Sequence, residues 1–104
     1  MILRPSQSIA LEVCLLAPIR EEVFWRGFLL RRLAALTGLW PALAVSGLLF
    51  GIIGHTDPTK AAVMGLFLGL LYSPLGTGHL AAAMVFHALV NLTSTIPPWA
   101  PMGL

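Results

Sequence analysis

Four charged side chains crowd into seven positions of an otherwise apolar stretch: Arg20, Glu21, Glu22 and Arg26. A charge at membrane depth costs at least ~2.5 kcal/mol, so one that persists there is paired, faces a cavity or acts in function. Glu22 and Arg26 are four apart with the acid first, the favourable order for a pair on one helix face. Glu21 sits ~100° around the helix from Glu22, so Arg26 cannot serve both carboxylates equally well. Glu21 is expected to be the free one, and a free carboxylate in a partly desolvated site is a candidate general base. Farther along the chain His55, His87 and Asn91 are polar residues among apolar ones, the last two one turn apart on a single helix face. A glutamate and a histidine can orient and deprotonate a water. A second histidine and an asparagine amide can stabilise the oxyanion that follows, and together these are the parts needed to hydrolyse an amide.

The rest of the chain says where such groups would sit. Of its 104 residues 58% are hydrophobic and 10% charged, against the quarter or so that a soluble domain carries. No Asp, Glu, Lys or Arg occurs from Leu33 to Thr56, and none from Ala61 onward. With a mean hydropathy of +0.90 this pattern excludes an ordinary soluble domain and predicts an integral membrane protein, its partner the lipid bilayer. The pI of 9.3 rests on a net charge of +2, too small and too dispersed for nucleic-acid binding. A single cysteine, Cys14, excludes an internal disulfide and a cysteine-based zinc cluster. The N-terminal residues lack a small-residue cleavage pattern, so the first apolar stretch is expected to be mature structure.

The expected architecture is all-α: a polytopic antiparallel bundle of four transmembrane helices, forming a single domain over residues 1–104. Helix 1 runs from a cap at Ser6 or Ser8 to about Leu36, with Pro18 inside it bending the chain just before the glutamates. Gly38 and Pro41 separate it from helix 2, Pro41 to His55. Thr56-Asp57-Pro58 supplies a cap and a first-turn proline for helix 3, Pro58 to Tyr72. After a Ser73–Gly78 loop, helix 4 spans His79 to Thr95 and stops at Pro97-Pro98. Gly47 and Gly51 on helix 2, and Ala61, Gly65 and Gly69 on helix 3, form small-residue stripes that predict close backbone packing. Trp40 and Tyr72 at one face and Trp99 at the other read as interfacial anchors. Arg31 and Arg32 favour a cytosolic helix 1–2 loop, nearly balanced by Arg4 and Lys60. Counting ~1.5 Å per residue from the Trp40/Tyr72 face puts Glu21 and His55 level near ~22 Å, with His87 and Asn91 at ~12 and ~18 Å.

At these residues the sequence resembles the CAAX prenyl endopeptidase and bacteriocin-processing-like intramembrane proteases, also described as the abortive-infection family. The first family motif is two glutamates, three residues and an arginine, here Glu21-Glu22-Val23-Phe24-Trp25-Arg26, preceded by Ala17-Pro18-Ile19 and followed by Gly27. The last is histidine, three residues and asparagine, here His87-Ala88-Leu89-Val90-Asn91, and Gly65 to Tyr72 is similar to the helix before it. The similarity covers about Ala17 to Thr95. It implies a catalytic set of Glu21, Glu22, His55, His87 and Asn91. Glu21 and His55 would activate water, His87 and Asn91 would hold the oxyanion, and Glu22 with Arg26 would be the supporting ion pair. The implied substrate is a membrane-embedded, hydrophobic or prenylated peptide, and the short form is expected of a bacterial cell-membrane member, minimal or truncated. The family has been described both as metallopeptidases and as metal-free glutamate enzymes. There is no His-Glu-x-x-His run here, so no cofactor is expected, the alternative being a divalent metal on Glu21, His55 and His87.

One motif departs from the pattern. The family's phenylalanine and histidine are usually separated by three residues, whereas Phe50 and His55 are separated by four. On a regular helix the extra residue rotates His55 by ~100°, so a bulge must correct it or the site is distorted. The rival reading belongs to another class: a non-proteolytic membrane immunity or binding protein of the same fold, whose polar cluster only holds the helices together.

Overall fold

The computed structural model describes residues 5–53 and 55–95. Among these there are four helices and no strands. Helix α1 occupies residues 5–37 and is continuous, but its hydrogen-bond register changes along its length. α-Helical Pro5–Leu11, Ala17–Glu22 and Arg31–Thr37 alternate with wider π-helical stretches at Glu12–Leu16 and Val23–Leu30. Ser6 and Ser8 already lie inside the helix, so neither is the N-cap expected. The first wide turn immediately precedes Pro18. Proline cannot donate and crowds the carbonyl one turn back. The chain answers with an i→i+5 turn in which Ala17 N–H donates to Glu12 O. The bend expected of Pro18 is thus a local widening.

Gly38 ends α1 with φ +89° and ψ 168°, a region open essentially to glycine alone. Helix α2 (Leu39–Ile52) follows directly. It stops three residues short of the expected end at His55, because Ile53 is extended at φ −87°, ψ 114°. The Asp57 side chain accepts a hydrogen bond from Lys60 N at 3.1 Å, capping helix α3 (Pro58–Tyr72) over the expected span. Helix α4 covers Leu80–Thr95. Pro97-Pro98 and Trp99 lie outside the described residues.

The small-residue stripes meet as expected. A Cβ on Gly65 would stand 3.2 Å from the Cα of Gly47, and one on Gly51 would stand 2.6 Å from both Ala62 Cβ and Pro58 O. Backbones of α2 and α3 therefore touch, and the pairs Gly51–Ala62 and Gly47–Gly65 make them antiparallel. Leu30, Ala42 and Leu43 form a buried cluster at the opposite end of α2 from His55, with Tyr72 packed against it, while Trp40 is 66% exposed. Helices α2, α3 and α4 contain 14, 15 and 16 residues, against the ~20 that cross a hydrocarbon core. No helix among the described residues is long and apolar enough to cross a membrane.

Candidate active site

The two adjacent glutamates of α1 have different surroundings. Glu22 is fully buried and Arg26, one turn on, is almost so; Arg26 Nη1 donates to Glu22 Oε2 at 3.0 Å. This is the pair their spacing predicts. The guanidinium makes two further contacts. Its Nη2 donates to the carbonyl of Gly65 at 2.8 Å, and its Cζ lies over the Phe50 ring, 4.6 Å from the centroid. One arginine thereby ties α1 to α2 and α3 through charge-assisted and cation–π contacts. Glu22 Oε1 is buried with no hydrogen-bond partner among the described residues. Glu21 is less enclosed, its side chain 38% exposed.

His87 on α4 reaches both carboxylates, with Nδ1 2.9 Å from Glu22 Oε2 and Nε2 3.5 Å from Glu21 Oε2. Because the carboxylate also accepts from Arg26, it acts as acceptor toward His87, so Nδ1 carries the proton that faces it. The ring is buried, and Phe50 stands edge-on to it at 6.0 Å. A count of residues places His87 about ten ångströms below Glu21, at ~12 against ~22 Å; in the structure their side chains meet at 3.5 Å. The wide turns of Val23–Leu30 bring Glu21 nearer that face but account for only part of the difference; the count also took every helix to start at the same height.

His55 lies in the α2–α3 connection. The extended Ile53 absorbs the extra residue of the Phe50–His55 spacing, and the imidazole folds back onto Phe50 with a centroid separation of 4.6 Å. Its Nδ1 is 2.9 Å from Ile53 O. A carbonyl can only accept, so Nδ1 carries the hydrogen and Nε2 keeps its lone pair. Both histidines are thus oriented through Nδ1. Among the described residues no hydrogen bond or ion pair joins Glu21 to His55.

Asn91 stands one turn beyond His87 on α4, and its Nδ2 donates to the carbonyl of Val13 at 2.8 Å. His87 opposite Glu22 and Asn91 opposite Val13 make α4 antiparallel to α1. His55, His87, Asn91, Phe50 and Met64 line one cavity of about 280 Å³. A larger apolar groove of about 620 Å³ adjoins it between α3 and α4, sharing Asp57, Lys60 and Met64. Among the described residues no three His, Cys, Asp or Glu side chains are arranged to hold a metal ion. The alternative ligand set of Glu21, His55 and His87 is not gathered as one such group.

Several contributors have no side-chain signal in the sequence. The carbonyls of Val13, Ile53 and Gly65 each accept from a site residue. Phe50 is the hub of the cluster, touching Trp25, Arg26 and both histidines. Its place in a motif marks its position, but its partners come from three other segments.

An all-helical bundle that buries a carboxylate–imidazole–guanidinium cluster beside a cavity has the parts of a hydrolytic enzyme. The family model of the type II CAAX prenyl endopeptidase Rce1-like proteins matches residues 6–93, and the chain belongs to that family of proteases. No curated protein and no solved structure matches the chain.

Proposed function

We propose that this protein is a membrane-embedded endopeptidase that hydrolyses a peptide bond of a hydrophobic or prenylated substrate, with water as the nucleophile. The observation that carries this reading is the pair of histidines, each held through Nδ1, lining one cavity with Asn91, with His87 Nε2 3.5 Å from the partly exposed Glu21. Water entering the cavity donates one hydrogen bond to His55 Nε2 and gives its proton to Glu21. The resulting hydroxide attacks the scissile carbonyl carbon. The oxyanion of the tetrahedral intermediate is met by Asn91 Nδ2–H and by His87 Nε2–H in the doubly protonated ring. Collapse breaks the C–N bond, and the proton held by Glu21 passes to the leaving amine. Glu22 and Arg26 keep His87 in register without touching the substrate. No step runs through a metal.

Membrane residence is supported by family membership and by the outer surface. Phe28, Leu36, Ile52, Val63 and Val85 are 59–77% exposed and spread over all four helices, an outer surface that hydrocarbon would cover. The apolar groove beside the cavity suits a hydrocarbon substituent on the substrate.

The test is peptide hydrolysis by the full chain reconstituted in lipid vesicles, with prenylated and unprenylated hydrophobic peptides. Turnover that falls ~10²–10⁴-fold in Glu21→Gln and in His55→Gln is expected of groups that move the proton. A wild-type protein inactive on every such peptide favours the non-proteolytic binding protein, whereas Glu21→Gln turning over at the wild-type rate removes Glu21 from the hydrolytic mechanism. Membrane residence is read separately, by whether the protein stays with the vesicles through an alkaline carbonate wash.

A further inference from the structure

The contact between Asn91 and Val13 has a cause five residues along α1. A helical carbonyl normally accepts from the N–H four residues on, or five in a wide turn. Val13 O lacks both donors: Ala17 N–H is taken by Glu12 O, and position 18 is a proline. A carbonyl left without partner away from water is destabilising, so it recruits one from outside the helix. Asn91 Nδ2 fills that role at 2.8 Å, from 78 positions away.

We propose that Pro18 is a positioning residue for Asn91, acting through the Val13 carbonyl. Since a carbonyl can only accept, the amide must turn its nitrogen toward α1, which settles the flip of the side chain. One of the two N–H bonds on Nδ2 is used in this contact. The second sits on the same, now immobilised, nitrogen, in a residue that lines the cavity with His55 and His87. One turn away on α4, His87 is anchored to α1 by Glu22. Two anchors a turn apart fix both the height and the rotation of α4, so the two groups facing the oxyanion are set before substrate arrives. Pro18 is itself buried and offers the substrate nothing.

The kinetic half of this proposal rests on the hydrolytic reading above; the spectroscopic half does not. Asn91 is the only asparagine in the chain, so ¹⁵N-asparagine labelling of the full-length protein in lipid nanodiscs gives one side-chain NH₂ pair to follow. In wild type one of its two protons is expected to be shifted downfield and slow to exchange. In Pro18→Ala the new N–H supplies α1 with its own donor, the protection is lost, and exchange accelerates about tenfold, as expected for release of one hydrogen bond. Where wild type hydrolyses peptide, kcat falls by a similar factor with KM unchanged, and Pro18→Ala combined with Asn91→Ala is no slower than Asn91→Ala alone. An Asn91 NH₂ pair with unchanged shift and exchange in folded Pro18→Ala overturns the proposal, as do strictly additive effects in the double variant. A Pro18→Ala chain that no longer folds also counts against it, since the replaced proline would then be needed for the helix and not for Asn91. Absence of any peptide hydrolysis sinks only the hydrolytic reading, and the exchange rates then decide the positioning role.

Discussion

His87 and Glu22 meet at 2.9 Å across 65 positions of chain, joining the last helix to the first through a fully buried carboxylate. That one contact separates the roles of two neighbouring acids. Glu22 is committed to Arg26 and His87, and Glu21 is left with a partly exposed carboxylate at the mouth of the cluster.

The two glutamates should therefore fail differently when their charge is removed. Glu22→Gln leaves Arg26 buried without its counter-ion and should destabilise the fold by ~3–5 kcal/mol, seen as a lower unfolding midpoint in detergent. Glu21→Gln should leave that midpoint within about 0.5 kcal/mol of wild type, as for a side chain outside the packed core, while turnover is lost. Equal loss of stability in both variants would contradict the asymmetry.

Arg26→Lys keeps the charge but not the fork. An ammonium cannot reach Glu22 Oε2 and Gly65 O together while lying over Phe50, so one charge-assisted hydrogen bond is lost, worth ~1.5–3 kcal/mol. Thermal unfolding of the variant checks this. A midpoint equal to wild type would mean that the Gly65 contact contributes nothing.

Two glycine replacements should be destabilising for unrelated reasons. In Gly51→Ala the new methyl meets Ala62 Cβ and Pro58 O at 2.6 Å, so α2 and α3 must part, at ~1–3 kcal/mol. In Gly38→Ala there is open space around the methyl but the backbone sits at φ +89°, again ~1–3 kcal/mol. Shortening Ala62 to Gly should relieve the first variant only in part, because Pro58 O and Ala62 N still stand 2.6 and 2.7 Å from the new methyl, and should leave the second unchanged, as read by unfolding midpoints of the combined substitutions.

Peptide hydrolysis should survive prolonged treatment with a divalent-metal chelator, because Glu21, His55 and His87 do not converge as a ligand set. A chelated protein that loses turnover and regains it with added zinc would show that the side chains rearrange around an ion.

Much of the scaffold was legible because it depends on neighbours in sequence. The Glu22–Arg26 pair, the Asp57 cap with Pro58 after it, and the glycine stripes of α2 and α3 are all set by spacings of three or four residues on a helix. The irregularities were not legible in the same way. Pro18 announced a disturbance, yet whether a helix kinks, breaks or widens depends on what packs beside it. The fate of the extra residue between Phe50 and His55 was settled by an early end to α2, which no pattern of residue types specifies. Depth counted at a fixed rise from helix ends taken as level places His87 too low relative to the glutamates it touches.

The sequence by itself singled out the candidate site residues and, for Glu21, Glu22, Arg26, His87 and Asn91, the helices they ride on, because residue type and helical period are local properties. Only the tertiary structure decided their partners: His87 for Glu22, Asn91 for a carbonyl that proline had stripped of its donor, His55 for a carbonyl two residues back. Those choices depend on the relative height and rotation of whole helices. Both are fixed by packing between segments far apart in the chain, and by backbone carbonyls that every residue carries and none advertises.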